Sequence, residues 1–181
     1  MVHDFTVMCG ECRLRPLGLD DLEQLRAERN ASRSFFLDRR AITAEGQRLW
    51  FESYLLKEND YVFSIEYDGF AGITSLYGYD PQDCSYEFGR FVVCRDKRGK
   101  GLGTEAMVAT CCVGFLALNA SSIRLEVLER NEKALEVYRS IGFKETGRCA
   151  KKGETVVMMR LGKADLLKGY SDVYSSVKAQ L

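Results

Sequence analysis

The run Arg98-Gly99-Lys100-Gly101-Leu102-Gly103-Thr104 constrains this chain more than any other stretch. It lies between the apolar segment Phe88 to Val93 and a stretch patterned as a helix. Glycines in strict alternation let a backbone turn tightly and leave N–H groups exposed where a helix begins. Those donors, with the positive end of the helix dipole, form a receptor for a phosphate-bearing ligand. Arg98 and Lys100 add positive charge beside it. Two familiar phosphate loops do not fit. A Walker loop needs Lys-Ser or Lys-Thr after its last glycine, and Gly103 is followed by Thr104 alone. The dinucleotide fingerprint Gly-x-Gly-x-x-Gly follows an early first strand, whereas these glycines alternate past the middle of the chain.

The 181 residues suffice for one domain with a sizeable core. Lys plus Arg equals Asp plus Glu at 26 each, so no basic excess points to nucleic acid or an acidic membrane. The first residues, Met1-Val2-His3-Asp4, lack a basic leader followed by an apolar run, and the cytoplasm is the expected location. Cys9-x-x-Cys12 has zinc-ligand spacing. It has no second pair, and His3 is the single histidine, so no metal is expected. The seven cysteines then read as buried thiols in a reducing compartment.

Periodicity gives the order of elements. Glu11 to Arg15 alternates as a first strand, and Asp20 is placed to cap a helix running to about Asn30, with Leu22 and Leu25 inward. Thr43 opens a second helix carrying Leu49, Trp50, Tyr54 and Leu55. Tyr61–Tyr67, Asp68-Gly69 and Phe70–Tyr77 form a hairpin, followed by a strand from Asp83 to Val93. A helix from Thr104 to Asn119 leads to a strand over 122–128, a helix over 132–141, and strands near 143–150 and 154–161. Residues 1–162 read as one mixed α/β domain built on a twisted sheet flanked by helices; 163–181 form a tail or terminal helix.

Downstream of the glycine loop come Ile123-Arg124-Leu125-Glu126-Val127, then Asn131, Ala134-Leu135-Glu136-Val137-Tyr138 and Ile141-Gly142-Phe143. With Phe91-Val92-Val93 and the loop, these pieces resemble the GNAT superfamily of acyl-CoA-dependent N-acetyltransferases over roughly residues 84 to 145. The resemblance implies a mixed, mostly antiparallel sheet in which two neighbouring parallel strands splay apart to admit coenzyme A. It implies acetyl-CoA as acyl donor, held by Phe91, Val92, Val93, the loop Arg98 to Thr104, Asn131, Ala134 and Tyr138. It places Tyr138 as the acid that protonates the leaving thiolate. Glu126 or Glu87 falls where relatives carry a base, Glu126 marginally ahead. A carboxylate in either role needs partial burial to act near neutrality.

The N-terminal third resembles a GNAT branch acting on amino sugars, including nucleotide-linked ones, through Leu25-Arg26-Ala27-Glu28-Arg29-Asn30, Ile42-Thr43-Ala44-Glu45 and Trp50-Phe51. Gln47 stands where that branch commonly has a histidine. Trp50, Phe51 and Glu87 are the expected acceptor contacts, although the two aromatics at helical spacing serve a core equally well. The expected partner is a small-molecule amine: an amino sugar first, then a protein N-terminus, a polyamine or an antibiotic amine. A non-catalytic acyl-CoA sensor is the rival reading. A homodimer is the base-rate expectation.

Overall fold

The computed structural model describes residues 3–181. Asp68 and Gly69 take φ values of 50° and 89° in the three-residue turn 67–69 that joins β3 (Tyr61–Glu66) to β4 (Phe70–Asp80). An eight-stranded sheet grows around that hairpin in the order β1-β2-β3-β4-β5-β6-β8-β7. The remaining strands are β1 (Val7–Cys9), β2 (Cys12–Pro16), β5 (Ser85–Val93), β6 (Ser122–Leu128), β7 (Lys144–Lys151) and β8 (Glu154–Gly162). Every neighbouring pair is antiparallel except β5 and β6.

Strand β3 shows how the sheet is covered on two sides. Phe63 and Ile65 face the larger core with helix α3 (Leu102–Leu116); Val62 faces a second cluster with α1 (Leu22–Ala31) and α2 (Ala44–Leu55). Helix α3 is apolar nearly all round because the sheet takes one side and the terminal helix α5 (Lys163–Lys178) takes another. Leu166, Tyr174 and Val177 of α5 are buried in that contact, so the last stretch is a docked helix. Helix α4 (Glu132–Ile141) follows β6, and Gly142 ends it at φ 111°.

Several boundaries differ from the expected ones for local reasons. The expected strand Glu11–Arg15 is one arm of a β1–β2 hairpin in which Cys9 pairs with Cys12. Burial there pushes the Cys9 thiol up to about 11 and that of Cys12 to about 12. Asp20 caps nothing: a 3-10 turn over Leu19–Asp21 precedes α1, and it is Asp21 whose carboxylate is drawn inward. Strand β5 starts at Ser85 rather than Asp83, after Cys84 at φ 50°, and α3 ends before Asn119 at φ 52°. Leu49 lies on the outer face of α2, while Phe51 and Tyr54 face inward. Among the described residues, no helix is long and apolar enough to cross a membrane.

The parallel pair positions the site. Strands β5 and β6 pair only at Ser85–Ser122, Tyr86–Ile123 and Glu87–Arg124. Beyond that point β6 stays with β8 out to Leu128–Val156, while β5 stays with β4 through a bulge. Arg90 in the bulge sits at φ 48°. A wedge therefore opens between Phe88–Val93 and Leu125–Leu128, with unpaired β5 backbone along one wall.

Candidate active site

The glycine loop leads from this wedge into α3. Gly99 and Gly101 have φ values of 82° and 81°, and a Cβ added at either would meet nothing within 4 Å. Conformation, not crowding, therefore demands glycine there. Gly101 is the N-cap of α3, and its carbonyl accepts the N–H groups of Thr104 (2.9 Å) and Glu105 (3.1 Å). The amides of Gly99, Gly101 and Gly103 make no backbone hydrogen bond among the described residues. They front a cavity of about 350 Å³ walled by Val93, Thr104, Asn131 and Ala134. Free amides, an open cradle and a helix N-terminus fit a diphosphate.

A second cavity of about 750 Å³ adjoins it, and Phe91, Asn131, Ala134 and Tyr138 border both. Asn131 caps α4 by accepting the Ala134 N–H at 3.4 Å. Tyr138 packs against Phe143 and Phe88, with ring centroids 5.9 and 6.4 Å away. Burial raises the Tyr138 phenol well above its ordinary value, so it is a neutral O–H donor through the physiological range. That hydroxyl donates to none of the described residues. Glu87 on β5 and Glu126 on β6 both border the larger cavity. Their settings differ. Glu87 Oε1 accepts the Tyr77 hydroxyl at 2.7 Å, whereas both oxygens of Glu126 accept from Lys151 Nζ at 2.6 Å. The carboxylate in turn raises Lys151 above the usual lysine range.

Other expected residues sit elsewhere. Phe51 is only 4% exposed, belongs to the cluster between α2 and the sheet, and borders neither cavity, so it is core and no acceptor contact. Trp50, its neighbour, does border the larger cavity. Val92 belongs to the α1/α2 cluster and also borders the smaller cavity. Leu102 is 3% exposed in the main core. Lys100 is exposed, sits over the Tyr67 ring at 5.3 Å and borders neither cavity. Arg98 does border the smaller cavity and also ties the loop down, donating to Val93 O at 2.8 Å and Ser32 Oγ at 3.0 Å.

Sequence reasoning missed three features of the larger cavity. Tyr77 faces it from β4, in regular register with Glu87, and Arg90 faces it through the β5 bulge, which leaves no periodic signal. The segment from Phe35 to Thr43 lies along it, pinned by Asn30, whose side chain donates to Ile42 O at 2.9 Å and accepts from Ile42 N at 2.7 Å. Arg130 reinforces that attachment by holding both Ser34 O and Glu154, and Arg39 also reaches Glu154.

The family model of the GNAT acetyltransferase domain matches residues 12–144. The chain belongs to this family. It is therefore an N-acetyltransferase that uses acetyl-CoA. The GNAT domain is similar to the spermidine N(1)-acetyltransferase of Escherichia coli (strain K12), at 31% identity over 139 residues, 75% of this chain and 74% of the relative. Its fold matches a spermidine N-acetyltransferase from Vibrio cholerae solved with CoA and spermine, at a TM-score of 0.77 and 21% identity over 87% of this chain and 98% of that one. An acetyltransferase structure from T. thermophilus matches with a TM-score of 0.76 and 21% identity, over 100% of this chain and 99% of the other.

Proposed function

We propose that this GNAT enzyme acetylates a primary amine of a polyamine-like small molecule, by direct attack on the thioester. The observation that carries the reaction is the joining of two cavities at Tyr138, one fronted by free loop amides and the other bordered by Glu87 and Glu126. The acceptor class draws on the curated relatives, which are spermidine acetyltransferases, and displaces the amino sugar as first choice. Glu87 suits a cationic acceptor, while the charge of Glu126 is already matched by Lys151. Two of the guanidiniums beside them are already paired, Arg40 with Asp38 and Arg90 with Asp60.

The roles follow from the settings. The loop amides hold the diphosphate, and Asn131 and Ala134 flank the pantetheine arm. The backbone at Phe91 to Val93, which has no partner on the β6 side, polarises the thioester carbonyl. Glu87 takes a proton from the acceptor's ammonium, leaving a lone pair to form the C–N bond. The C–S bond breaks with its electrons on sulfur, and Tyr138 gives its hydroxyl proton to that thiolate. The second proton lost by nitrogen restores Tyr138, and Glu87 releases its own to solvent. Glu87 is preferred over Glu126 because Lys151 already occupies both oxygens of Glu126. This reverses the order expected from sequence position.

Thiol release tests this reading. The protein, acetyl-CoA and single amines are mixed and free CoA is measured. Spermidine is expected to give the fastest release among spermidine, an amino sugar, a nucleotide-linked amino sugar and an alanyl peptide. Faster release with a sugar would overturn the acceptor class, and cofactor binding with no amine-dependent release would overturn the enzyme reading. The loop has its own check. Gly101→Val forces a β-branched residue into φ 81°, a strain of about 1–2 kcal/mol, and is expected to raise KM for acetyl-CoA roughly tenfold. KM for the amine should change far less.

A further inference from the structure

Tyr77 and Glu87 are register partners across β4 and β5, and the phenol donates to Glu87 Oε1 at 2.7 Å. Three features of this contact exceed what ordinary packing needs. A Cβ at Gly89 would lie 2.6 Å from the Tyr77 hydroxyl oxygen and 3.0 Å from Cε1, so the bond exists only because residue 89 has no side chain. The Tyr77 ring is overlaid by the Arg90 guanidinium, 4.2 Å from its centroid, and Trp50 lies 5.8 Å from the same guanidinium. Arg90 is itself fixed by the buried Asp60, at 2.5 and 3.0 Å. Ring and hydroxyl thus have one orientation available. Glu87 Oε2, in contrast, accepts no hydrogen bond from the described residues, and Glu87 borders the cavity.

We infer that Tyr77 is a positioning residue for the acetyl transfer: it holds Glu87 by one carboxylate oxygen so that the other meets the acceptor's ammonium. The inference rests on the reading of Glu87 as base. The bond fixes the side-chain torsions of Glu87 and leaves its other oxygen turned to the cavity. Burial and the adjacent carboxylate hold the phenol above its ordinary range, so it remains a donor. The other charges around Glu87 are its β6 register partner Arg124, engaged with Ser85 and Gly78, then Glu126 with Lys151 from β7, and Arg90 with Asp60. Asp38, Arg40 and Arg29 border the same cavity from α1 and the segment before α2. None of these changes when a single hydroxyl is deleted.

The test compares pH profiles of kcat/KM for one amine at saturating acetyl-CoA in wild type, Tyr77→Phe, Gly89→Ala and Glu87→Gln. Tyr77→Phe is expected to lower the plateau of kcat/KM about tenfold, the loss falling on kcat and not on KM for the amine, the scale of one hydrogen bond to a charged group. Gly89→Ala, which evicts the hydroxyl while keeping the phenol, should lower kcat in the same way. Glu87→Gln should abolish the acid limb. A limb retained in Glu87→Gln would remove the base reading and this inference with it. A limb lost in Glu87→Gln with kcat unchanged in both other variants would leave the base in place and overturn the role of Tyr77. Should Tyr77→Phe fail to fold, Gly89→Ala alone decides.

Discussion

Tyr138→Phe is expected to lower kcat by roughly 10²- to 10⁴-fold, the usual contribution of a positioned proton donor. KM for acetyl-CoA should stay nearly constant. The substitution deletes one hydroxyl, which makes no hydrogen bond to the described residues, and keeps the ring that packs on Phe143 and Phe88. Neither the fold nor the cavity wall should respond, so melting temperature should match wild type. The shape of the pH profile is a second check. Burial raises the phenol above the ordinary tyrosine value of about 10, so the wild-type rate should show no basic limb from Tyr138 below that pH. Steady-state kinetics at saturating amine measure the loss directly. An unchanged kcat would mean that the thiolate departs unprotonated or takes its proton from solvent, and Tyr138 would then be only a wall of the site.

Where local chemistry settles the backbone, the sequence was enough. Asp68-Gly69 can hardly be other than a tight turn, and Gly99, Gly101 and Gly142 stand where left-handed φ values are required. Helices α2 and α4 were legible because Thr43 and Asn131 cap them in the positions their sequence suggests. The glycine loop that fronts the smaller cavity is a run of adjacent residues, and its left-handed turns were legible as such. The lining of the larger cavity was not. It is assembled from β4, β5, β6 and the segment after α1, and the β5 bulge sets which side chains meet. Arg90 at φ 48° breaks the alternation that strand reasoning relies on, which hid Arg90, while Tyr77 alternates normally on β4 and its partner across the strands is a tertiary fact. Trp50 and Phe51 make the same point at helical spacing. Adjacent aromatics on α2 diverge by about 100° of helix, so one borders the cavity and the other fills the core.

Asp21→Ala is expected to destabilise the protein by about 3 kcal/mol, roughly 10 °C in melting temperature for a domain of this size. The carboxylate is 5% exposed and accepts four hydrogen bonds: Arg15 at 2.7 and 2.8 Å, Ser64 Oγ at 2.6 Å and Gly18 N at 2.8 Å. Removing it strands Arg15 and Ser64 without their partner. Arg15 keeps Glu66 at 2.7 Å, which is why the lower end of the range for a broken buried pair applies. Acidification supplies the sign. Burial alone would raise Asp21, but the bonds from Arg15, Ser64 and Gly18 outweigh it and hold the folded carboxyl below its ordinary value. Its contribution is therefore full above the unfolded carboxylate range near 4 and fades as pH falls through the lower folded value. Thermal melts of wild type and Asp21→Ala should differ most near neutrality and converge as the pH drops below about 4. A gap independent of pH would assign the loss to packing and not to charge. The consequence reaches the acceptor cavity, since Asp21 ties β2 and β3 to the start of α1, and α1 ends in Asn30, which pins Ile42 beside that cavity. KM for the amine should therefore rise in Asp21→Ala at temperatures where the variant remains folded.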